Sequence, residues 1–153
     1  MRERQIMAHL LHLSTFLRSK SELMNQTMTI ITEVPGAPKA VGPYSPAVRT
    51  GNLLFCSGQL PIDPATGKIE AQSIEEQTQQ VFANIRALLT SQGMNLSHIV
   101  KTTVFLQDMK DFSAMNGVYS AAMGEHKPAR STIQVAALPL AASVEIELVA
   151  EYP

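Results

Sequence analysis

Two segments near the C-terminus carry the residue types best suited to chemistry. Residues 128–135 and 144–149 both have the composition of β-strands, with Arg130 at the start of the first and Glu145 and Glu147 on the polar side of the second. A guanidinium can hold a carboxylate through two parallel hydrogen bonds, and a neighbouring carboxylate can accept a proton or hold a water. This pattern predicts a small site for an anionic metabolite. The alternative is a structural ion pair between Arg130 and one of the two glutamates across neighbouring strands.

Other kinds of catalytic site find little support in the sequence. It has no glycine-rich phosphate loop and no Gly-x-Gly-x-x-Gly, and its four histidines do not have the spacing of metal ligands. Ser57 precedes a glycine but lacks the pattern of a nucleophile elbow. Nucleophilic triads, metal-dependent hydrolysis and dinucleotide redox chemistry are therefore disfavoured, and general acid–base chemistry on a small acid remains.

Composition limits the possible architecture and partners. A chain of 153 residues with 45% hydrophobic and 16% charged residues has the composition of one globular domain. A formal net charge of −1, without a run of Lys or Arg, argues against nucleic acid as a partner. The single cysteine, Cys56, excludes an internal disulfide and fits a reducing compartment. No apolar run approaches the roughly 18 residues that a membrane helix needs, so we expect no membrane association and a cytoplasmic location.

The first 27 residues differ from the rest of the chain. They are basic, with Arg2, Arg4, Arg18 and Lys20 against two acidic residues, whereas the remainder is acidic. Such a segment could be a mitochondrial presequence, but Glu3 and the low arginine content weaken that pattern. The favoured interpretation is a flexible extension or a non-native start at residues 1–27, followed by a single domain at residues 28–153.

Hydrophobic periodicity and turn signals divide the domain into eight elements. We predict strands at residues 28–34, 47–49, 53–57, 99–106, 128–135 and 144–149, and helices from 74 to Gly93 and from about 111 to Gly124. A capping box of Ser73 and Glu76 marks the start of the first helix. The order β-β-β-α-β-α-β-β is typical of an α+β fold with a mixed sheet.

Two helices can cover only one face of such a sheet. The other face would expose apolar strand residues such as Ile133, Val135 and Val149. Self-association is the simplest way to cover them, and we expect sites where subunits meet.

Several short motifs occur along the domain: Gly-Pro-Tyr-Ser-Pro at 42–46, Ser-Gly-Gln-Leu-Pro at 57–61, Lys-Thr-Thr-Val-Phe-Leu at 101–106, Asn116 with Tyr119, and Pro-Ala-Arg-Ser-Thr at 128–132 followed by Val-Glu-Ile-Glu at 144–147. With these motifs the chain resembles a known family, the Rid (YjgF-type) proteins, and the resemblance covers almost everything from about residue 28 to the end. The resemblance implies a chorismate-mutase-like homotrimer with three clefts between subunits. It also implies hydrolysis of 2-imino acids, such as 2-iminobutanoate and 2-iminopropanoate, to 2-oxo acids and ammonia, without a cofactor or a metal.

The resemblance also assigns roles to individual residues. Arg130 matches the carboxylate-binding arginine of the family, and Glu145 matches the acid that positions or activates the attacking water. Further cleft positions are matched by Tyr44, Ser57, Gly58 and Asn116. The well-known deaminases often carry Cys where this chain has Thr132, so a thiol nucleophile is absent there and a water mechanism is favoured.

Some of these residues also have simpler explanations, and two other functions stay open. Tyr44 could be only a packed turn aromatic, Ser57 could bond locally, and Cys56 is predicted to be an inert core thiol. The first alternative function is a regulatory trimer that binds small carboxylates without turnover. The second is an endoribonuclease or translation inhibitor, which the acidic domain disfavours.

Overall fold

The six predicted strand segments form a single six-stranded sheet in a computed structural model of the chain, which describes residues 28–153. The predicted extension, residues 1–27, lies outside the described residues. The strands are β1 (Thr29–Ile31), β2 (Ala47–Thr50), β3 (Leu53–Gln59), β4 (Ile99–Leu106), β5 (Ala129–Gln134) and β6 (Val144–Glu151), and the helices are α1 (Ile74–Ser91) and α2 (Phe112–Met123). Their order confirms the predicted α+β pattern.

Several strand ends differ from the prediction by one or two residues, and the largest difference is at the end of the first strand. The first strand was expected to span residues 28–34, but β1 ends at Ile31. A turn follows, in which the amide of Ala37 donates to the carbonyl of Val34 at 3.2 Å and Gly36 has a φ of 78°. The positive φ in a Pro-Gly turn bends the chain away, so β-branched residues next to that turn do not continue the strand.

Both helices begin and end close to their predicted signals. The Ser73 Oγ accepts the amide of Glu76 at 3.2 Å, and the Glu76 carboxylate accepts the amide of Ser73 at 3.1 Å, which completes the capping box of α1. Gly93 and Gly124 follow the two helices with positive φ values, as expected for helix ends. Neither helix is long and apolar enough to cross a membrane, within the part of the chain that the structure describes.

The sheet has the order β1-β2-β3-β6-β4-β5, so β1 and β5 are its edges. All neighbours are antiparallel except β4 and β5, which are parallel and joined through α2. The fold is therefore a mixed sheet with the helices on one face, as predicted. Strand β3 carries an extra residue relative to β6 between Cys56 and Gln59, a β-bulge that contains Ser57 and Gly58.

The core lies between the sheet and the two helices. Val144, Ile146, Leu148 and Ala150 of β6 are buried on this side, while Glu145, Glu147 and Val149 alternate onto the other side. We call that other side the open face, because no helix of the described residues covers it. Its apolar members on the strands include Ile30, Val48, Phe55, Phe105, Ile133 and Val149. Phe55 and Ile133 are both 46% exposed, so the predicted bare apolar face is present in the single chain.

Candidate functional site

Arg130 lies on the helix-covered side of the sheet. It is in register with Thr102 of β4, and its guanidinium carbon lies 4.5 Å from the centre of the Tyr119 ring and 5.8 Å from that of Phe112, both on α2. Among the described residues, no carboxylate forms an ion pair with Arg130 and no side-chain or backbone acceptor takes a hydrogen bond from its guanidinium. The planar fork therefore has its N–H donors available for an anion.

A cavity of about 420 Å³ opens beside this guanidinium. Asn116 and Tyr119 line it from α2, and His126 and Lys127 line it from the turn before β5. The His126 Nε2 lies 2.7 Å from the carbonyl oxygen of Ile99, which fixes the ring at the wall. No acidic side chain lines the cavity, so its polar groups suit a small carboxylate. Sequence reasoning did not select His126 and Lys127, although they directly precede the Pro-Ala-Arg motif.

Thr132 follows Arg130 on the same side of β5, in register with Val104. Its Oγ1 is buried and has no hydrogen-bond partner among the described residues. A buried hydroxyl without a partner carries a desolvation cost. We call Asn116, Arg130 and Thr132 the arginine half-site.

Glu145 lies on the open face, in register with Phe105 of β4. Its carboxylate packs directly against Gly58 in the β-bulge, where a Cβ would overlap the Glu145 Oε1. Half-burial, and then the negative charge of Glu147, raise the pKa of the Glu145 carboxyl. A raised pKa brings a carboxyl closer to the range in which it can both accept and return a proton at neutral pH.

Two other expected site residues lie beside Gly58. Tyr44 lines a narrow crevice together with Gly58, and it is 47% exposed. The Ser57 Oγ donates to the carbonyl oxygen of Ser45 at 2.7 Å, so its proton is engaged within the chain. We call Tyr44, Ser57, Gly58 and Glu145 the acidic half-site.

A single chain does not bring the two half-sites together. Arg130 aligns with Thr102, which faces the helices, whereas Glu145 aligns with Phe105, which faces the opposite way. Because side chains alternate along β4, the arginine and the carboxylate lie on opposite faces of the sheet. The expectation that Arg130 lies beside Glu145 or Glu147, as an anchor or as a structural ion pair, is therefore wrong within one chain.

Neither thiol chemistry nor metal binding is indicated by the described residues. Burial raises the pKa of the Cys56 thiol to about 12, so at neutral pH it is protonated and unreactive, as predicted for a core thiol. Between residues 28 and 153 no group of three or more His, Cys, Asp or Glu side chains is placed to hold a metal ion.

Comparison with known proteins identifies the family. The sequence profile described as Endoribonuclease L-PSP matches residues 34–152. The chain belongs to this family, the Rid (YjgF-type) proteins. Among Rid relatives, the chain is 42% identical over 125 residues to the 2-iminobutanoate/2-iminopropanoate deaminase of Salmonella typhimurium, covering 80% of this chain and 95% of that protein.

Two further Rid proteins support the assignment. Reactive Intermediate Deaminase A, chloroplastic, of Arabidopsis thaliana is 48% identical over 114 residues, which cover 74% of this chain and 61% of that protein. The crystal structure of E. coli TdcF with bound serine matches with a TM-score of 0.77 and 38% identity, covering 82% of this chain and all of that chain. The family includes imine deaminases, and the α+β fold found here is that of its solved members.

Proposed function

We propose that this protein hydrolyses small 2-imino acids, such as 2-iminobutanoate and 2-iminopropanoate, to 2-oxo acids and ammonia. In this reaction a protonated imine and one water give one 2-oxo acid and one ammonium ion, without redox change. The observation that carries the proposal is the guanidinium of Arg130, which has no anionic partner among the described residues and opens onto a cavity without acidic groups. The Salmonella relative named for this reaction supports the choice of substrate. Such a protein would remove reactive imines and enamines before they damage other enzymes.

In the proposed mechanism Arg130 holds the substrate carboxylate and Glu145 handles protons. The carboxylate of Glu145 accepts a proton from the water that adds to the C=N carbon, and it returns that proton to the nitrogen of the resulting carbinolamine. The C–N bond then breaks, and the departing ammonia takes the hydroxyl proton, which gives the 2-oxo acid and an ammonium ion. The raised pKa of Glu145 suits this double role. Thr132 offers a hydroxyl rather than a thiol beside Arg130, which leaves water as the nucleophile. Tyr44, Ser57, Gly58 and Asn116 shape the cleft, and no cofactor takes part.

This mechanism requires the two half-sites to come from different chains. Arg130 and Glu145 lie on opposite faces of one sheet, so one substrate can contact both only where one subunit's arginine half-site meets another's acidic half-site. The apolar open face supplies a surface that self-association would bury. We propose a homotrimer with three such clefts.

The first experiment couples the protein to a threonine or serine dehydratase that generates the imine. We expect micromolar protein to accelerate the release of 2-oxobutanoate or pyruvate, measured as 2-oxo acid formed per minute. Arg130→Ala should cost more activity than Arg130→Lys, because lysine keeps the charge but loses the planar fork. A folded wild-type protein that leaves the rate unchanged would overturn the proposed reaction.

A second experiment tests the shared cleft. Arg130→Ala and Glu145→Gln should each be inactive alone. Co-refolded in equal amounts, they should recover about a quarter of wild-type activity, because each mixed trimer regains one of its three clefts. Light scattering should give a mass near three chains. An active monomer, or a mixture that stays inactive although mixed trimers form, would argue against a site built from two subunits.

Two alternatives give different results in the same samples. A regulatory carboxylate-binding trimer would bind 2-oxobutanoate without accelerating the dehydratase reaction, a possibility that the TdcF structure with serine keeps relevant. An endoribonuclease, as the family description suggests, would degrade RNA and lose affinity steeply with salt. The acidic balance of residues 28–153 favours neither RNA binding nor a nucleic-acid partner. The proposed location is the cytoplasm, where Cys56 would remain reduced.

A further inference from the structure

The guanidinium of Arg130 rests on an aromatic ring that is itself held in place. Tyr119 is only 7% exposed, and its ring packs edge-to-face on Phe82 with a centroid distance of 5.4 Å and an interplanar angle of 75°. Its hydroxyl oxygen lies 2.9 Å from the Oγ1 of Thr102, which is 1% exposed. Because a buried hydroxyl needs a partner, this hydrogen bond fixes the position of the ring.

The same strand register places Thr102 and Arg130 side by side. Thr102 on β4 is in register with Arg130 on β5. The Tyr119 ring, whose hydroxyl bonds to Thr102, therefore also reaches Arg130, and the guanidinium carbon lies 4.5 Å from the ring centre. A cation above an aromatic face is attracted to it, and this attraction uses none of the guanidinium's N–H donors in a hydrogen bond. The ring therefore holds the position of the Arg130 guanidinium while its donors stay available to a ligand.

We propose that Tyr119, fixed by Thr102, is a positioning residue that orients the Arg130 guanidinium for carboxylate binding. The inference rests on the proposed function only in taking Arg130 as the carboxylate anchor. Tyr119 acts through Arg130 and has no role of its own in proton transfer. Its loss therefore weakens carboxylate binding in the substrate and in the transition state alike, which raises KM and leaves kcat nearly unchanged.

The test compares Tyr119→Leu in the wild-type and Arg130→Ala backgrounds. In the wild-type background we expect a roughly tenfold rise in the Kd of 2-oxobutanoate, measured by NMR titration, and a similar rise in KM, with kcat changed less than about threefold. In the Arg130→Ala background the same substitution should add almost nothing. Equal losses in both backgrounds, or an unchanged Kd in a folded Tyr119→Leu protein, would overturn the inference.

The chain offers a matched control. Arg49 lies over the ring of Tyr152, with its guanidinium carbon 3.9 Å from the ring centre. The Tyr152 hydroxyl donates to the Gln92 Oε1 at 3.1 Å. Tyr152→Leu therefore removes the same kind of cation–π contact elsewhere in the fold and should leave Kd and KM at wild-type values. An equal rise in Kd for this control would show a general packing effect and overturn the specific role of Tyr119.

Milder variants keep the test decisive if Tyr119→Leu does not fold. Thr102→Val removes the partner of the Tyr119 hydroxyl and should raise Kd by about threefold, with the ring-current shifts of the Arg130 side-chain protons reduced. Unchanged shifts and an unchanged Kd would overturn the inference. Binding without turnover in the wild type would overturn the proposed reaction alone, whereas a wild type that binds no 2-oxobutanoate would overturn both proposals.

Discussion

At the residue scale, the environments of the two proposed catalytic groups affect their charges in opposite ways. The Arg130 guanidinium lies over the Tyr119 ring and has no carboxylate partner among residues 28–153, so its charge is available to a ligand. Glu145 is half-buried beside another carboxylate, which makes its ionised form unfavourable. Each arrangement is useful to a site that binds an anion and moves a proton, and the second carries a cost in stability.

Because the ionised Glu145 carboxylate destabilises the folded chain, we expect Glu145→Gln to increase stability. Below its ordinary pKa of 4.5 the carboxyl is protonated in both the folded and the unfolded chain, so it contributes nothing. As pH rises through the raised folded pKa, the unfolded chain releases its proton first, and the folded state loses stability relative to it. At protein concentrations low enough for the chain to be monomeric, Glu145→Gln should therefore melt at a higher temperature than wild type at pH 7, and the two melting temperatures should converge in acid.

The same substitution, Glu145→Gln, should lower the rate of imine hydrolysis although it increases stability. Glu145→Gln should lose about 100-fold or more in rate, because glutamine cannot accept a proton from water. Glu147→Gln, at the exposed neighbouring position, provides the control and should retain most activity. Calorimetry from acid to neutral pH and the dehydratase-coupled assay measure the two effects. A Tm difference that persists unchanged into acid would contradict the stated origin of the cost.

Gly58 allows the Glu145 carboxylate to occupy its position. Because a Cβ at residue 58 would overlap the Glu145 Oε1, Gly58→Ala should displace the carboxylate. We expect a large loss of imine hydrolysis and a destabilisation of about 1–3 kcal/mol, measured by denaturant unfolding.

Gly117 is the matched control for this substitution. It lies inside α2, and a Cβ there would meet nothing within 4 Å. Gly117→Ala should therefore stabilise the protein by about 0.5–1 kcal/mol through helix propensity. Wild-type activity in Gly58→Ala would show that Glu145 is either free to move or not required.

At the element scale, the connection between β5 and β6 stores backbone strain. Leu140 and Ala141 have φ values of 55° and 56°, a region that L-residues other than glycine rarely adopt. Ala141→Gly should raise the free energy of unfolding by about 1 kcal/mol, because it relieves this strain without removing a large side chain. Urea unfolding monitored by circular dichroism measures the change.

The next residue supplies the control. Ala142 has a φ of −62° and is fully buried, so glycine at this position gains nothing in the folded state and increases the entropy of the unfolded chain. Ala142→Gly should destabilise by about 1 kcal/mol. Equal changes in the free energy of unfolding for Ala141→Gly and Ala142→Gly would contradict the claim that the backbone is strained at Ala141.

At the scale of the whole molecule, the open face connects assembly to activity. In the single chain Phe55 is 46% exposed, so Phe55→Glu should cost little folding stability there. In the proposed trimer the same side chain is buried, and an introduced charge should dissociate the subunits. We expect a folded monomer by light scattering and circular dichroism, without imine hydrolysis. Ala83→Glu, at an exposed position of α1, should remain trimeric and active.

The sequence by itself determined the element order and most boundaries, because local signals set them. The capping box at Ser73, the glycines after each helix, and the alternation along β6 are properties of neighbouring residues, and the structure confirms them. The sequence also predicted the bare apolar face, since two helices cannot cover both sides of six strands. The length of β1 was missed because the turn at Gly36 competes with strand propensity.

Only the tertiary structure decided which side chains meet. Strand alternation fixes the relative faces of residues within one strand, but the sequence does not give the register between strands. The pairing of Arg130 with Thr102 and of Glu145 with Phe105 put the two groups on opposite faces, a result that a register shifted by one residue would have reversed. The same pairing placed Tyr119 beneath the guanidinium, and the bulge in β3 brought Gly58 against Glu145. These contacts depend on long-range pairing, so they could not be predicted from the spacing of residues along the chain.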